Sequence, residues 1–205
     1  MIYKELDPLE GEATQQMANF LRSAFDASEE VDVLNGLVVR SGGLLAQMDH
    51  LVLHPYGLLL IENVSVLGTI QIEADWQWTH NQNGHARPMR SPITEIKLQA
   101  LSLEAFLDKK VKQKTFFHSL ELDVLVAVQD AQSIKWPAGG VFPEVCNADL
   151  VPERVRERVG QCRREARKPG VLTLEQRQRL AVFLKASHKP VPRLGPESRA
   201  SGLGE

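Results

Sequence analysis

The stretch Gln47-Met48-Asp49-His50-Leu51-Val52-Leu53-His54-Pro55-Tyr56-Gly57-Leu58-Leu59-Leu60-Ile61-Glu62-Asn63-Val64 decides the fold. Two strand-like runs flank Pro55-Tyr56-Gly57, whose proline and glycine mark a turn. If that turn closes a hairpin, partner numbers sum to about 111 or 112, and Asp49 falls opposite Glu62. Directly opposed residues have Cβ atoms only ~5 Å apart on one face. Their neighbours on that face are Leu51, Leu53, Leu58 and Leu60, whereas His50 and His54 take the other face. Two acids beside apolar neighbours repel each other and resist burial. A bridging divalent cation removes that cost, and a hard oxygen pair suits Mg²⁺. A slip of one residue would put the two acids on opposite faces.

Outward from the hairpin, residues 9–25 read as a first helix, with Ala13, Met17, Phe20, Leu21 and Phe25 at helical spacing. Val31 to Arg40 reads as a strand ending at Gly42-Gly43, and Leu58 to Val66 as a central strand. A further hairpin is expected from Thr69 to Thr79, with Trp76 and Trp78 on one face, leading into the turn pair Asn83-Gly84. Ser91-Pro92 opens a second helix whose apolar positions include Ile93, Ile96, Ala100, Leu103 and Leu107. Leu122 to Val128 is a buried strand, and residues 150–167 and 173–186 read as helices. The order of elements predicts one mixed α/β layer structure.

Composition sets the outer bounds. With 205 residues, 43% hydrophobic and 24% charged, the chain can form one domain with a sizeable core. No signal-like start is visible, and the longest apolar run, Leu58 to Ile61, cannot span a bilayer, so a cytoplasmic protein without membrane partners is expected. Cys146 and Cys162 are too few for a disulfide scaffold and point to a reducing compartment. The net charge of -2 hides an uneven distribution. Residues 1–50 carry nine acids against three bases, and residues 152–193 carry twelve bases against four acids. The segment 154–168 is either a strip that contacts nucleic-acid phosphates or a solvated helix face. From Ser187 to Glu205 the composition reads as a flexible tail.

The hairpin also resembles a known family, the nuclease-related domain (NERD) family of the PD-(D/E)XK, restriction-endonuclease-like superfamily. Gly11-Glu12 on the first helix, Asp49 in Gln-Met-Asp-His-Leu-Val-Leu and the Pro-Tyr-Gly turn carry the resemblance. Leu-Leu-Leu-Ile-Glu62, Trp76 and Ser91-Pro92 complete it, over about residues 8–130. The resemblance implies a single restriction-endonuclease-like domain over 8–186, with a mixed central β-sheet flanked by helices and a C-terminal helical part at 150–186. It implies a metal-dependent DNA hydrolase in which Asp49 and Glu62 hold Mg²⁺ and Glu12 joins them from the first helix. The residue two beyond the strand glutamate is a lysine in such folds, and period-two geometry puts it on the glutamate's face. Here that residue is Val64. Lys97 on the second helix is the candidate replacement. Two readings follow: a Mg²⁺-dependent nuclease using Glu12, Asp49, Glu62 and Lys97, or an inactive module binding nucleic acid or a protein partner. A third reading has the helical end 150–186 docking on another chain.

Overall fold

In a computed structural model the described residues are 8–73, 75, 77–110, 120–129, 134–137, 140, 142–165 and 172–189. The first helix, α1 (Pro8–Phe25), is followed by β1 (Asp32–Ser41), β2 (Leu44–His54) and β3 (Gly57–Val64). Next come β4 (Thr69–Ile72), β5 (Trp78–Gln82), β6 (His85–Met89) and the helix α2 (Pro92–Lys110). The remainder is β7 (Glu121–Val128), β8 (Ile134–Lys135), β9 (Val145–Asn147), α3 (Val151–Glu165) and α4 (Leu174–Ala186).

Among the described residues, β1-β2-β3-β7-β9 form a five-stranded sheet in that order. The β1–β2–β3 part is antiparallel, and β7 and β9 run parallel to β3, so the sheet is mixed. β3 is central and buried along its whole length, which is why its sequence is a continuous apolar run. One face packs Leu58, Leu60, Val124 and Val126 against α2 and α4, through Ile96, Leu103, Leu180 and Leu184. The other packs Leu59, Ile61, Leu125 and Ala127 against α1 and α3, through Met17, Leu21, Val155 and Val159. This sandwich is the mixed α/β fold expected from the order of elements.

The hairpin register is the expected one. His54 pairs with Gly57 and His50 with Ile61, each summing to 111. Gly57 is dictated by space, since a Cβ there would lie 2.0 Å from the Glu121 carbonyl oxygen at the start of β7. β1 and β2 depart from a regular pleat. Asn35 pairs with His50 and Leu37 with Met48, but Gly36 and Asp49 between them do not pair, and Gly36 has φ 61°. The apolar cluster under α2 takes Leu34, Leu51 and Leu53 on one side of this irregularity, and Leu37, Val39, Ala46 and Met48 on the other. The parity of buried positions therefore switches at Gly36 and Asp49.

Beyond Val64 the chain leaves the main sheet. β4, β5 and β6 pair with one another, and β8 joins parallel to β4, giving a second sheet in the order β6-β5-β4-β8. The Asn83-Gly84 turn forms as expected, with φ 52° and 79°. Trp78 is buried in the core, and Trp76 lies outside the described residues. The expected tail boundary shifts: His188 Nδ1 accepts from the Val38 amide (3.1 Å), and the Lys189 amide donates to the Val38 carbonyl (2.9 Å), so residues 187–189 lie along edge strand β1. The rest of that tail, 190–205, lies outside the described residues.

Candidate functional site

β3 and β7 end side by side, and α1 passes over this end of the sheet: Gln129 Nε2, just beyond β7, donates to the Ala13 carbonyl (3.3 Å). Asp49 and Glu62 lie here, both buried, at 6% and 8% exposure. Their sequence sum of 111 continues the hairpin register, but the ladder stops at His50–Ile61. In its place the Asn63 backbone N–H donates to Asp49 Oδ2 at 2.9 Å. The irregular pleat at Gly36 frees Asp49 from the ladder, and its carboxylate takes over the amide that the next pair would have used.

Asn63 is the hub of a buried polar chain. Its side-chain amide nitrogen lies 2.9 Å from His50 Nε2, 3.4 Å from Thr14 Oγ1 and 3.5 Å from Asp49 Oδ2. His50 Nδ1 in turn lies 2.7 Å from Asn35 Oδ1. An amide oxygen only accepts, so Nδ1 carries the proton and Nε2 accepts from Asn63. Burial holds His50 in this neutral form: its pKa drops to about 4, although Asp49 pulls it upward. Asn63 Oδ1 is buried with no hydrogen-bond partner. Thr14, Asn35 and Asn63 were not singled out from sequence. The signal available for them was Asn35-Gly36 inside a strand, a dipeptide that marks a bulge.

The other expected site residues separate. Period two sets Glu62 on the α2 side of the sheet with Leu60 and Val64, whereas Asn63 faces α1. Val64 is 7% exposed and belongs to the apolar cluster. Glu12 is exposed on α1, two residues before Thr14. Lys97 donates to Glu144 Oε1 at 2.8 Å. Burial alone would raise the Glu144 carboxyl, but the hydrogen bond and charge of Lys97, with help from Arg158, bring it below its ordinary value. Among the described residues no group of three or more His, Cys, Asp or Glu is gathered so as to hold a metal ion. Asp49 and Glu62 retain the oxygen chemistry that a divalent cation takes, but one oxygen of Asp49 is already committed to Asn63.

Of the expected basic segment 154–168, residues 166–168 lie outside the described residues, and three arginines on α3 pair with acids within the molecule. Arg154 pairs with Glu157 (2.8 Å), Arg158 with Asp123 (3.4 Å) and Arg163 with Glu30 (2.5 Å). Arg156 lies over the Phe25 ring. Both cysteines are free thiols, and burial pushes each up to about 12. Among the described residues no helix is long and apolar enough to cross a membrane.

The fold is a mixed sheet between helices with two buried acids toward one end of it. The sequence profile described as "Nuclease-related domain" (NERD) matches residues 9–122, more than half of the 205, and the chain belongs to that family. No curated protein matches the chain. Among solved structures, the small subunit of the heterodimeric restriction endonuclease R.BspD6I aligns with 87% of this chain and 100% of its own, at 10% identity and a TM-score of 0.26. That likeness is too loose to carry an argument.

Proposed function

We propose that this chain is a nuclease-related domain that keeps the fold, has given up phosphodiester hydrolysis and acts as a nucleic-acid-binding module. The observation that carries the reading is Val64. The position that the family resemblance gives to a lysine holds a buried valine inside an apolar cluster. Valine neither donates a hydrogen bond nor carries the charge that helps position an attacking water. Lys97, the candidate substitute, is already held by Glu144. The Asp49 carboxylate, meanwhile, has a structural occupation in the Asn63 contact.

The test is an assay of single- and double-stranded DNA with Mg²⁺ or Mn²⁺, using wild type, Glu62→Ala and Val64→Lys. No cleavage by wild type is expected. Cleavage by wild type that Glu62→Ala abolishes would overturn the reading. Gain of cleavage in Val64→Lys would place the loss at that one residue.

A second reading, a Mg²⁺-dependent DNA hydrolase, is supported by the burial of two acids, Asp49 and Glu62, toward one end of the sheet. Asp49 and Glu62 would hold the ion, which would polarise the phosphodiester. Lys97 would have to leave Glu144 to serve it. Mg²⁺ raising the melting temperature of wild type, with the rise lost in Glu62→Ala, would support this reading independently of turnover.

A further inference from the structure

The hairpin β5–β6 and the residues just after it gather weakly neutralised cations on a projecting ribbon. Residues 77–94 contain no aspartate or glutamate, but they include His80, His85, Arg87 and Arg90. The register puts Trp78 with Met89, His80 with Arg87 and Gln82 with His85, and paired residues share a face. That face begins at Trp78, 2% exposed in the core, and runs outward through His80–Arg87 to Gln82–His85. Residues 85–88 are all exposed. Arg87 has no carboxylate partner among the described residues. Arg90 has a 3.9 Å contact with Glu95 at 73% and 43% exposure, a pair worth little in water. On α3, by comparison, Arg154, Arg158 and Arg163 have acids at shorter range, 2.8, 3.4 and 2.5 Å.

The hairpin is also firmly mounted. His80 Nε2 donates to the Leu67 carbonyl at 2.6 Å, tying β5 to the segment that leaves β3. Gly68 allows the close packing there, since a Cβ would lie 2.2 Å from the Asn81 carbonyl oxygen. The hairpin is therefore anchored at its base to the segment that follows the β3 end carrying Glu62 and Asn63, while its outer part projects. Its outer part offers cations and the amides of Gln82 and Asn83 without a large apolar side chain. A protein partner is usually met by an aromatic or aliphatic centre, whereas a phosphate backbone needs only charge and hydrogen-bond donors. A two-stranded ribbon also fits the width of a DNA groove.

We propose that the β5–β6 hairpin is the nucleic-acid contact of this domain, with Arg87 and Arg90 on backbone phosphates. The proposal rests on the binding-module reading above and names the surface it uses. The test is fluorescence anisotropy of the full chain on a labelled DNA duplex in EDTA, between about 50 and 200 mM salt. Arg87→Ala/Arg90→Ala should weaken binding roughly tenfold at the low-salt end and reduce the slope of log K against log salt by about 2, near 0.9 per lost contact. Arg87→Lys/Arg90→Lys should keep the slope, and Arg154→Ala/Arg163→Ala on α3 should leave it unchanged. No salt-dependent binding by wild type, an unchanged slope in the hairpin double variant, or a loss that appears with the α3 variant instead would each overturn the proposal. Because EDTA removes divalent ions, cleavage found in the separate Mg²⁺ assay would sink the non-catalytic reading and leave this result standing.

Discussion

A carboxylate that ligates a metal and one that caps a strand respond in opposite ways when removed, so Asp49 can be assigned by stability alone. As a cap, Asp49 satisfies the buried Asn63 amide, and Asp49→Ala should cost about 1–3 kcal/mol, the penalty of an unpaired buried donor. Asp49→Asn keeps an accepting oxygen and should cost much less. If Asp49 were chiefly a member of a repelling pair with Glu62, both substitutions would instead stabilise the metal-free protein. Urea unfolding of the two variants in EDTA separates these outcomes. His54 gives a second residue-level prediction. Burial, with the nearby Arg177 charge, lowers its pKa to about 4, against 6.5 for an ordinary histidine. The unfolded chain therefore binds more protons between those values, and stability should be fully present above about pH 6.5 and fall as pH drops toward 4, by up to ~3 kcal/mol from this residue. His50 falls in the same window, so His54→Gln should reduce the slope of unfolding free energy against pH without abolishing it. At this scale the sequence predicted Asp49 opposite Glu62, but the ladder ends at His50–Ile61 and Asp49 accepts from the Asn63 amide. The sequence could not reveal that Asn63, Thr14 and His50 meet, because that contact needs α1 laid across the sheet.

At the scale of elements, α4 shows how a polar helix is fixed to a sheet. Thr173 and Gln176 form a capping box at its start, and Thr173→Ala should cost about 1 kcal/mol. One turn on, Arg177 is 2% exposed, pairs with Asp32 at the start of β1 (2.5 Å), and also donates to the Glu29 carbonyl. Arg177→Met keeps much of the packing but strips both oxygens of their donor. It should cost about 2–3 kcal/mol, below the full penalty for a buried pair because Asp32 is 30% exposed. Denaturant unfolding of the two variants, with Arg177→Met the larger loss, checks the order; equal losses would mean that the cap and not the ion pair anchors the helix. The elements themselves were mostly legible, since apolar periodicity marked α1, β3 and β7 within a residue or two and Ser91-Pro92 marked the start of α2. Its failures have physical causes. β8 and β9 are two and three residues long, too short for any period to register. The separate small sheet was hidden because a strand's sequence does not state which neighbour it pairs with. Asn35-Gly36, read as ordinary strand, in fact switches the buried parity of two strands.

Across the whole molecule, burial is graded from one end of the architecture to the other, and exchange of backbone amides should follow it. β3 is buried at every position and lies between β2 and β7, with helices over both faces. Opening it exposes the centre of both apolar clusters, so its amides should exchange only through global unfolding. The small sheet has one anchored end. Trp78, Ile70 and Ile72 sit in the core, while residues 85–88 of edge strand β6 are in solvent. The β5–β6 pairing can therefore open without breaching the clusters, and its amides should exchange faster than those of β3 by orders of magnitude. The β1 edge, covered by the His188 and Lys189 contacts to Val38, should fall between them. Native-state hydrogen exchange read strand by strand tests this ranking. If β5 and β6 were protected as strongly as β3, the two sheets would form one cooperative unit. If they exchange first, the proposed nucleic-acid contact sits on the part of the fold that is cheapest to reorganise, and bound DNA should slow exchange there while leaving β3 unchanged.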